Sequence, residues 1–293
     1  MQGSRVLFLL MAIGAAVLMG TVGPLSRMVE VSPEVVTFYR VFIGALFLLV
    51  YLVLNGSLLG SRFVLRKRQV ASGTALAGFM VFYIKALQLM PMAQAVMILY
   101  FAPILASVIA HFVLAERLTK ASLSLVMLGF TGFVFLVDLS ALTARESSEY
   151  GTGLLFASLS CLTYCAFILL NRTSSEGSSP SLNTLIQLAI ASSLLLPFAL
   201  NWGLPSTDQL PWLVAIGFFT GFLAMLLAIS ALAHLPATTY GTLAYLEPFT
   251  VALLAWWLFE EALSLSDALG ASLIVVAGLG QSRLSLTSSK IAQ

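Results

Sequence analysis

The sequence predicts an all-α membrane protein: ten transmembrane helices forming two inverted five-helix repeats. Three observations carry this. The chain of 293 residues is 60% hydrophobic and 9% charged, whereas a soluble domain is roughly 45–50% apolar and about 25% charged. Its apolar residues fall into ten segments of membrane-spanning length. The second half of the chain repeats the first at an offset of 145 residues.

A helix that crosses a bilayer needs about 20 mostly apolar residues. Charges and prolines divide the chain into candidate spans at 6–26, 35–54, 71–90, 93–114, 121–139, 151–171, 181–200, 211–234, 237–259 and 266–284. The first follows Arg5, is long for the apolar part of a signal peptide, and is succeeded by many more, so it reads as a retained span. Two stretches are too long for one span each: 69–115 holds a single charge, Lys85, and 209–246 holds none. Proline lacks the N–H that continues a helix, so Pro91 and Pro236 divide these stretches, each at a tight hairpin.

Loop charges orient the bundle. With the N-terminus inside, Arg5, Arg62, Arg66, Lys67, Arg68, Arg117, Lys120, Arg172, Arg283 and Lys290 fall on the inner side, against Arg27 and Arg145 on the outer side. Cytoplasmic loops are enriched in Lys and Arg, so the expectation is a multi-pass protein of the plasma (inner) membrane with both termini cytoplasmic. The net charge of +2 is spread without a basic face, and no nucleic-acid partner is expected. Cys161 and Cys165 lie four apart in an apolar run with no His, Asp or Glu nearby in sequence. They read as small packing residues, and neither a metal nor a cofactor is expected.

The offset of 145 pairs Ala86–Leu87 with Ala231–Leu232, Pro91 with Pro236, Tyr100 with Tyr245, Pro103 with Pro248, Ala110 with Ala255, Glu116 with Glu261, and Leu118 with Leu263. Each half, 1–145 and 146–293, then holds five spans. Five is odd, so the second half lies upside down relative to the first. Repeats of this kind place a binding site near the bilayer midplane, where two equivalent arrangements can alternate.

The segments that carry the repeat also resemble a known family. Pro91-Met-Ala-Gln-Ala through Tyr100-Phe-Ala-Pro103 to Glu116-Arg-Leu-Thr119, and Pro236 through Leu246-Glu-Pro248 to Glu261-Ala-Leu-Ser264, resemble the EamA-type halves of the drug/metabolite transporter superfamily. Within it the chain looks most like the YddG group, exporters of aromatic and other amino acids. The resemblance implies a ten-helix basket around a central cavity, lined mainly by spans 1, 3, 4, 6, 8 and 9. Tyr100 matches the first aromatic of that group's span 4, but Ala102 stands where a tryptophan is expected. Tyr164 takes the place of a mid-span tryptophan in span 6, and Met19-Gly20 that of Trp-Gly in span 1. These replacements imply a roomier pocket than a strictly aromatic one.

Ionisable groups inside a membrane are costly and mark candidate sites. Glu247 lies halfway along span 9, followed by Pro248. It reads as a counter-ion for an amine, a proton carrier, or a structural carboxyl kept neutral by burial. Lys85 in span 3 either snorkels or faces the cavity together with Phe82 and Gly78, a face from which Tyr83 points away. Arg40, near the outer end of span 2, is expected to snorkel or pair with Glu34. Met97 and Tyr100 share a face of span 4, and Thr242 and Tyr245 the equivalent face of span 9. The site expected from these readings is Tyr100, Tyr164, Tyr245, Lys85, Glu247, Phe82, Met97 and Thr242. Glu116 and Glu261 read as helix-end anchors, His111 and His234 as structural, Asp138 as interfacial, and Gly217-Phe-Phe-Thr-Gly221 as a close-packing motif.

One acid and one base among tyrosines suit a zwitterion. Lys85 would take a carboxylate and Glu247 an ammonium, with the rings adding cation–π attraction. The two could also pair with each other. No HExxH, GxSxG or paired intramembrane acids suggest an enzyme. The expected function is export of aromatic and other neutral amino acids by alternating access; the alternative is export of another small metabolite or a cationic drug.

Overall fold

The computed structural model describes residues 2–29, 31–56, 65–90, 92–116, 118–136, 149–173, 179–201, 205–260 and 264–291. Every regular element among them is helical. In chain order they are α1 (Gln2–Gly20), α2 (Val22–Val29), α3 (Pro33–Leu54), α4 (Lys67–Leu89), α5 (Met92–Leu99), α6 (Ala102–Val113), α7 (Lys120–Leu136), α8 (Tyr150–Arg172), α9 (Pro180–Leu200), α10 (Leu210–Ile216), a π-helical segment (Gly217–Leu223), α11 (Ala224–His234), α12 (Ala237–Ala244), α13 (Leu246–Phe259) and α14 (Leu265–Ile291). Nine stretches among the described residues are long and apolar enough to cross a membrane, and the shorter apolar helix α7 stands where the fifth span is expected. Span 3 begins earlier than expected, at Lys67, and span 10 runs on to Ile291. The expected end of span 5, with Asp138, lies outside the described residues, as do Arg62, Arg117, Arg145 and Glu261.

Local chemistry explains the starts and breaks. Ser32 precedes α3, with Pro33 at its first position and Glu34 in its first turn; proline costs nothing where the N–H has no helical partner, and an acid suits the positive end. Ser179 caps α9, its hydroxyl accepting from the Leu182 N–H at 3.3 Å. Three spans are interrupted a few residues before a proline. Span 1 breaks at Thr21 before Pro24, span 4 at Tyr100–Phe101 before Pro103, and span 9 at Tyr245 before Pro248. Each proline removes the hydrogen bond to the carbonyl four residues back. Irregular backbone at membrane depth is tolerated where protein or an internal cavity surrounds it. Span 8 is interrupted differently, by the π-helical turn.

The packing obeys the repeat. Span 3 (α4) lies along span 6 (α8), and span 1 (α1) along span 8 (α11); span 2 (α3) meets the π-helical segment of span 8, and span 7 (α9) meets span 3. Spans 2 and 7, 4 and 9, and 5 and 10 each pack against their own counterpart. Exchanging the two halves maps every one of these contacts onto another, as a pseudo-two-fold axis requires. At that axis the repeat-related Tyr100 and Tyr245 touch: the Tyr245 hydroxyl donates to the Tyr100 carbonyl at 3.0 Å.

The end of the bundle that carries the chain termini is tied across spans by polar contacts. Arg5 Nε donates to Ser285 Oγ at 3.1 Å, and an Arg68 guanidinium N–H to the Thr173 carbonyl at 2.7 Å. Glu116 accepts from Arg172 Nε with one oxygen and from the Ala237 backbone N–H, at 2.9 Å, with the other. Glu116 thus anchors helix ends, as expected, and does so across to spans 6 and 9. Phe8 stacks on His234 with ring centroids 3.8 Å apart. A buried polar chain, Gln187 to Asn171 to Ser72, links spans 7, 6 and 3 through two 2.8 Å hydrogen bonds.

Candidate substrate site

Glu247 is the second residue of α13, just past the break at Tyr245. Span 1 breaks beside it. Gly20, next to Thr21, abuts span 9 so closely that a methyl group there would come within 2.7 Å of the Glu247 carbonyl oxygen and 2.6 Å of Thr250 Cβ. Glycine is therefore what lets span 1 reach the Glu247 backbone. The carboxyl group emerges where two interrupted helices cross, near the middle of the bundle.

Tyrosines from four spans surround it. Tyr100 lies within electrostatic reach of the Glu247 carboxyl group. Tyr83 from α4, Tyr164 from α8 and Tyr240 from α12 are each close enough to interact electrostatically with it. Tyr240 lies on α12, on the other side of the Tyr245 break from Glu247. Behind these rings stand further aromatics: Phe79 against Tyr164 with centroids 5.0 Å apart, and Phe133 stacked on Tyr100 at 4.7 Å.

The cation that faces Glu247 is Arg40, on α3. The two do not form a contact ion pair. Among the described residues Arg172–Glu116 is the ion pair that closes within 4.0 Å. The Arg40 Nε is buried without a hydrogen-bond partner. Glu34, its expected partner, instead accepts from Gln88 Nε2 at 2.7 Å. The backbone of Arg40 is fixed by span 8: Gly221 of the π-helical segment lies so close that any side chain there would strike the Arg40 carbonyl. The Gly217–Gly221 motif therefore holds span 8 against the one turn of span 2 that carries the buried cation.

The expected site residues divide. Tyr100, Tyr164 and Glu247 come together. Tyr245 is fully buried and packs with Phe133 and Ile274, with Met97 against the same cluster. Thr242 is buried, its hydroxyl donating to the Thr238 carbonyl at 2.9 Å. Phe82 stacks on Phe156 at 6.1 Å. Lys85 lies 3.4 Å from Gln88 Oε1 in a separate cavity of about 110 Å³, bordered also by Glu34 and Asn201. Sequence reasoning placed Tyr83 on the far side of span 3 and Arg40 at the interface; in the structure both lie within electrostatic reach of Glu247. Tyr240 was missed; the break at Tyr245 lies between it and Glu247.

A polytopic bundle of inverted repeats, with a carboxyl group where broken helices meet, has the architecture of a membrane carrier. The comparisons agree. The chain belongs to the EamA-like transporter family, whose model matches it twice, at residues 6–138 and 151–280. It is 27% identical over 263 residues to an uncharacterized transporter of Archaeoglobus fulgidus, covering 89% of this chain and 91% of that one. It is 26% identical over 249 residues to a protein named S-adenosylmethionine uptake transporter from Rickettsia prowazekii, covering 83% and 81%. A crystal structure superposes with a TM-score of 0.83 over 97% of this chain and 99% of that one; at 23% identity this likeness speaks to the fold alone.

Proposed function

We propose that this transporter carries small amines of the amino acid type, binding the ammonium group at Glu247 and moving it by alternating access. The observation that supports this best is the Glu247 carboxylate facing tyrosines from four different spans. A carboxylate at membrane depth needs a cationic partner. Electron-rich ring faces favour an ammonium group and also pack against apolar side chains. Spans that belong to both repeats supply the rings, so any rocking of one repeat against the other changes the cage around the ligand. The inner membrane, cytoplasmic termini and outward direction of transport belong to the same reading; the bias of Lys and Arg toward one side supports the cytoplasmic termini. So do the unit boundaries at 145/146.

A second reading follows from the relatives named for S-adenosylmethionine uptake. That molecule is itself an amino acid bearing an additional sulfonium charge, so a tyrosine-walled carboxylate suits it chemically. Purified protein in liposomes separates the two. Phenylalanine, methionine, alanine, S-adenosylmethionine and a cationic dye are offered side by side, to wild type and Glu247→Gln. Saturable movement of several amino acids, abolished by Glu247→Gln in protein that still elutes as a folded species, is the expected result. Movement of S-adenosylmethionine without the others selects the second reading, and movement of the dye with no amino acid rejects both.

A further inference from the structure

We propose that Arg40 is the receptor for the substrate carboxylate, so that the substrate's two charges take over from the long-range pairing of Arg40 with Glu247 in the empty protein. This rests on the amino acid reading above. Three observations carry it. First, Arg40 has no settled partner: its Nε is buried without a hydrogen bond, Glu34 is taken by Gln88, and no described carboxylate lies within 4.0 Å of it. A buried N–H left this way is expensive. Second, Arg40 and Glu247 attract each other without closing to contact. Their charged ends therefore stand more than 4.0 Å apart. Third, the Arg40 backbone is clamped against Gly221 in the π-helical turn, and such turns recur at functional sites.

The chemistry of an α-amino acid matches that gap. Its carboxylate and ammonium are attached to one carbon, pointing apart. The guanidinium can grip the carboxylate with two parallel N–H donors, a geometry that Lys cannot reproduce. Glu247 and the tyrosines take the ammonium. The arrangement also satisfies a transport requirement. In the empty protein Arg40 and Glu247 offset each other; in the loaded protein each is offset by one end of a neutral zwitterion. Neither form carries a net charge at membrane depth, where uncompensated charge is costly, so both can reorient.

The test compares phenylalanine with phenethylamine, which has the same ring and amine but no carboxylate, in proteoliposomes containing wild type, Arg40→Gln, Arg40→Lys, Lys85→Met and the double variant Arg40→Gln/Glu247→Gln. Arg40→Gln is expected to raise the half-saturation concentration for phenylalanine at least about tenfold while leaving phenethylamine unchanged or improved. Arg40→Lys should fall between wild type and Arg40→Gln. If Arg40→Gln does not fold, Arg40→Lys and the charge-free double variant still report: Arg40→Lys should weaken phenylalanine more than phenethylamine, and the double, whose binding is read in detergent because Glu247→Gln abolishes transport, should show no preference for phenylalanine over phenethylamine. An equal change for both substrates in Arg40→Gln and Arg40→Lys would show a structural role and overturn the assignment. A loss confined to phenylalanine in Lys85→Met, with Arg40→Gln normal, would transfer the role to Lys85. Wild type that moves neither compound rejects the amino acid reading itself, and this assignment with it.

Discussion

At the scale of single residues, the two repeat-related tyrosines have different surroundings. The Tyr100 ring lies beside Glu247, where its hydroxyl can hydrogen-bond a ligand held there, whereas the fully buried Tyr245 spends its hydroxyl on the Tyr100 carbonyl. Tyr100→Phe keeps the ring and removes only the hydroxyl. A hydrogen bond of this kind is worth about 0.5–1.5 kcal/mol net, which corresponds to a rise of about two- to twelvefold in half-saturation concentration; uptake at varied substrate concentration measures it. Tyr245→Phe should instead lower thermal stability, by about 1 kcal/mol, read from the unfolding midpoint in detergent. Glycines offer a second contrast. A methyl at Gly20 would press on the Glu247 carbonyl at 2.7 Å, whereas at Gly14 it would meet the tip of Leu227 at an ordinary 3.5 Å. Gly20→Ala should therefore impair transport and stability together, and Gly14→Ala neither, in matched preparations.

At the scale of elements, the Glu116–Arg172 contact joins the tail of span 4 to spans 6 and 9. One Glu116 oxygen receives the Ala237 N–H at the start of α12, where helical N–H groups have no internal partner and the helix dipole favours negative charge. Glu116→Gln keeps an acceptor for that N–H but loses the charge. Glu116→Ala loses both and should cost about 1–2 kcal/mol, the scale of a lost helix cap, with Glu116→Gln nearer wild type in the same melting experiment. Elements were also the scale best read from sequence. Hydropathy located the spans, and Pro91 and Pro236 divided the two overlong stretches, because composition and the missing N–H of proline act locally. Pro248 implies the bend found in span 9 beside Glu247, whereas the breaks at Thr21 and Tyr100 and the π-helical turn were not anticipated, although Pro24 and Pro103 mark two of them. Which way Arg40, Tyr83 and Lys85 point was not legible either. On a span that is apolar all round, the inward face is chosen by its neighbours, here Gly221 for Arg40 and Gln88 for Glu34, and not by its own periodicity.

At the scale of the whole molecule, the contact pattern is symmetric under exchange of the halves, and the chain termini lie at the end tied by Arg5, Arg68, Glu116 and Arg172. The bias of the loop charges predicts that this end faces the cytoplasm. In a background lacking Cys161 and Cys165, a cysteine at Ser147 should react with an impermeant reagent added outside intact cells. One at Ser61 should react only after the membrane is opened. Reaction of both from the same side would invalidate the ten-span arrangement, because the two positions are separated by three spans, an odd number.

The hydroxyl of Tyr245 on the carbonyl of Tyr100 breaks the equivalence that the repeat would otherwise impose. Two copies of one ancestral unit, read in opposite directions, would give identical energies for facing either way. A bond made by one member of the pair and not returned by the other tilts that balance. Directionality in such a protein can thus be written in differences between duplicated positions, and each half can drift separately. Natural selection can adjust how long the carrier waits on each side of the bilayer without redesigning the place where cargo sits.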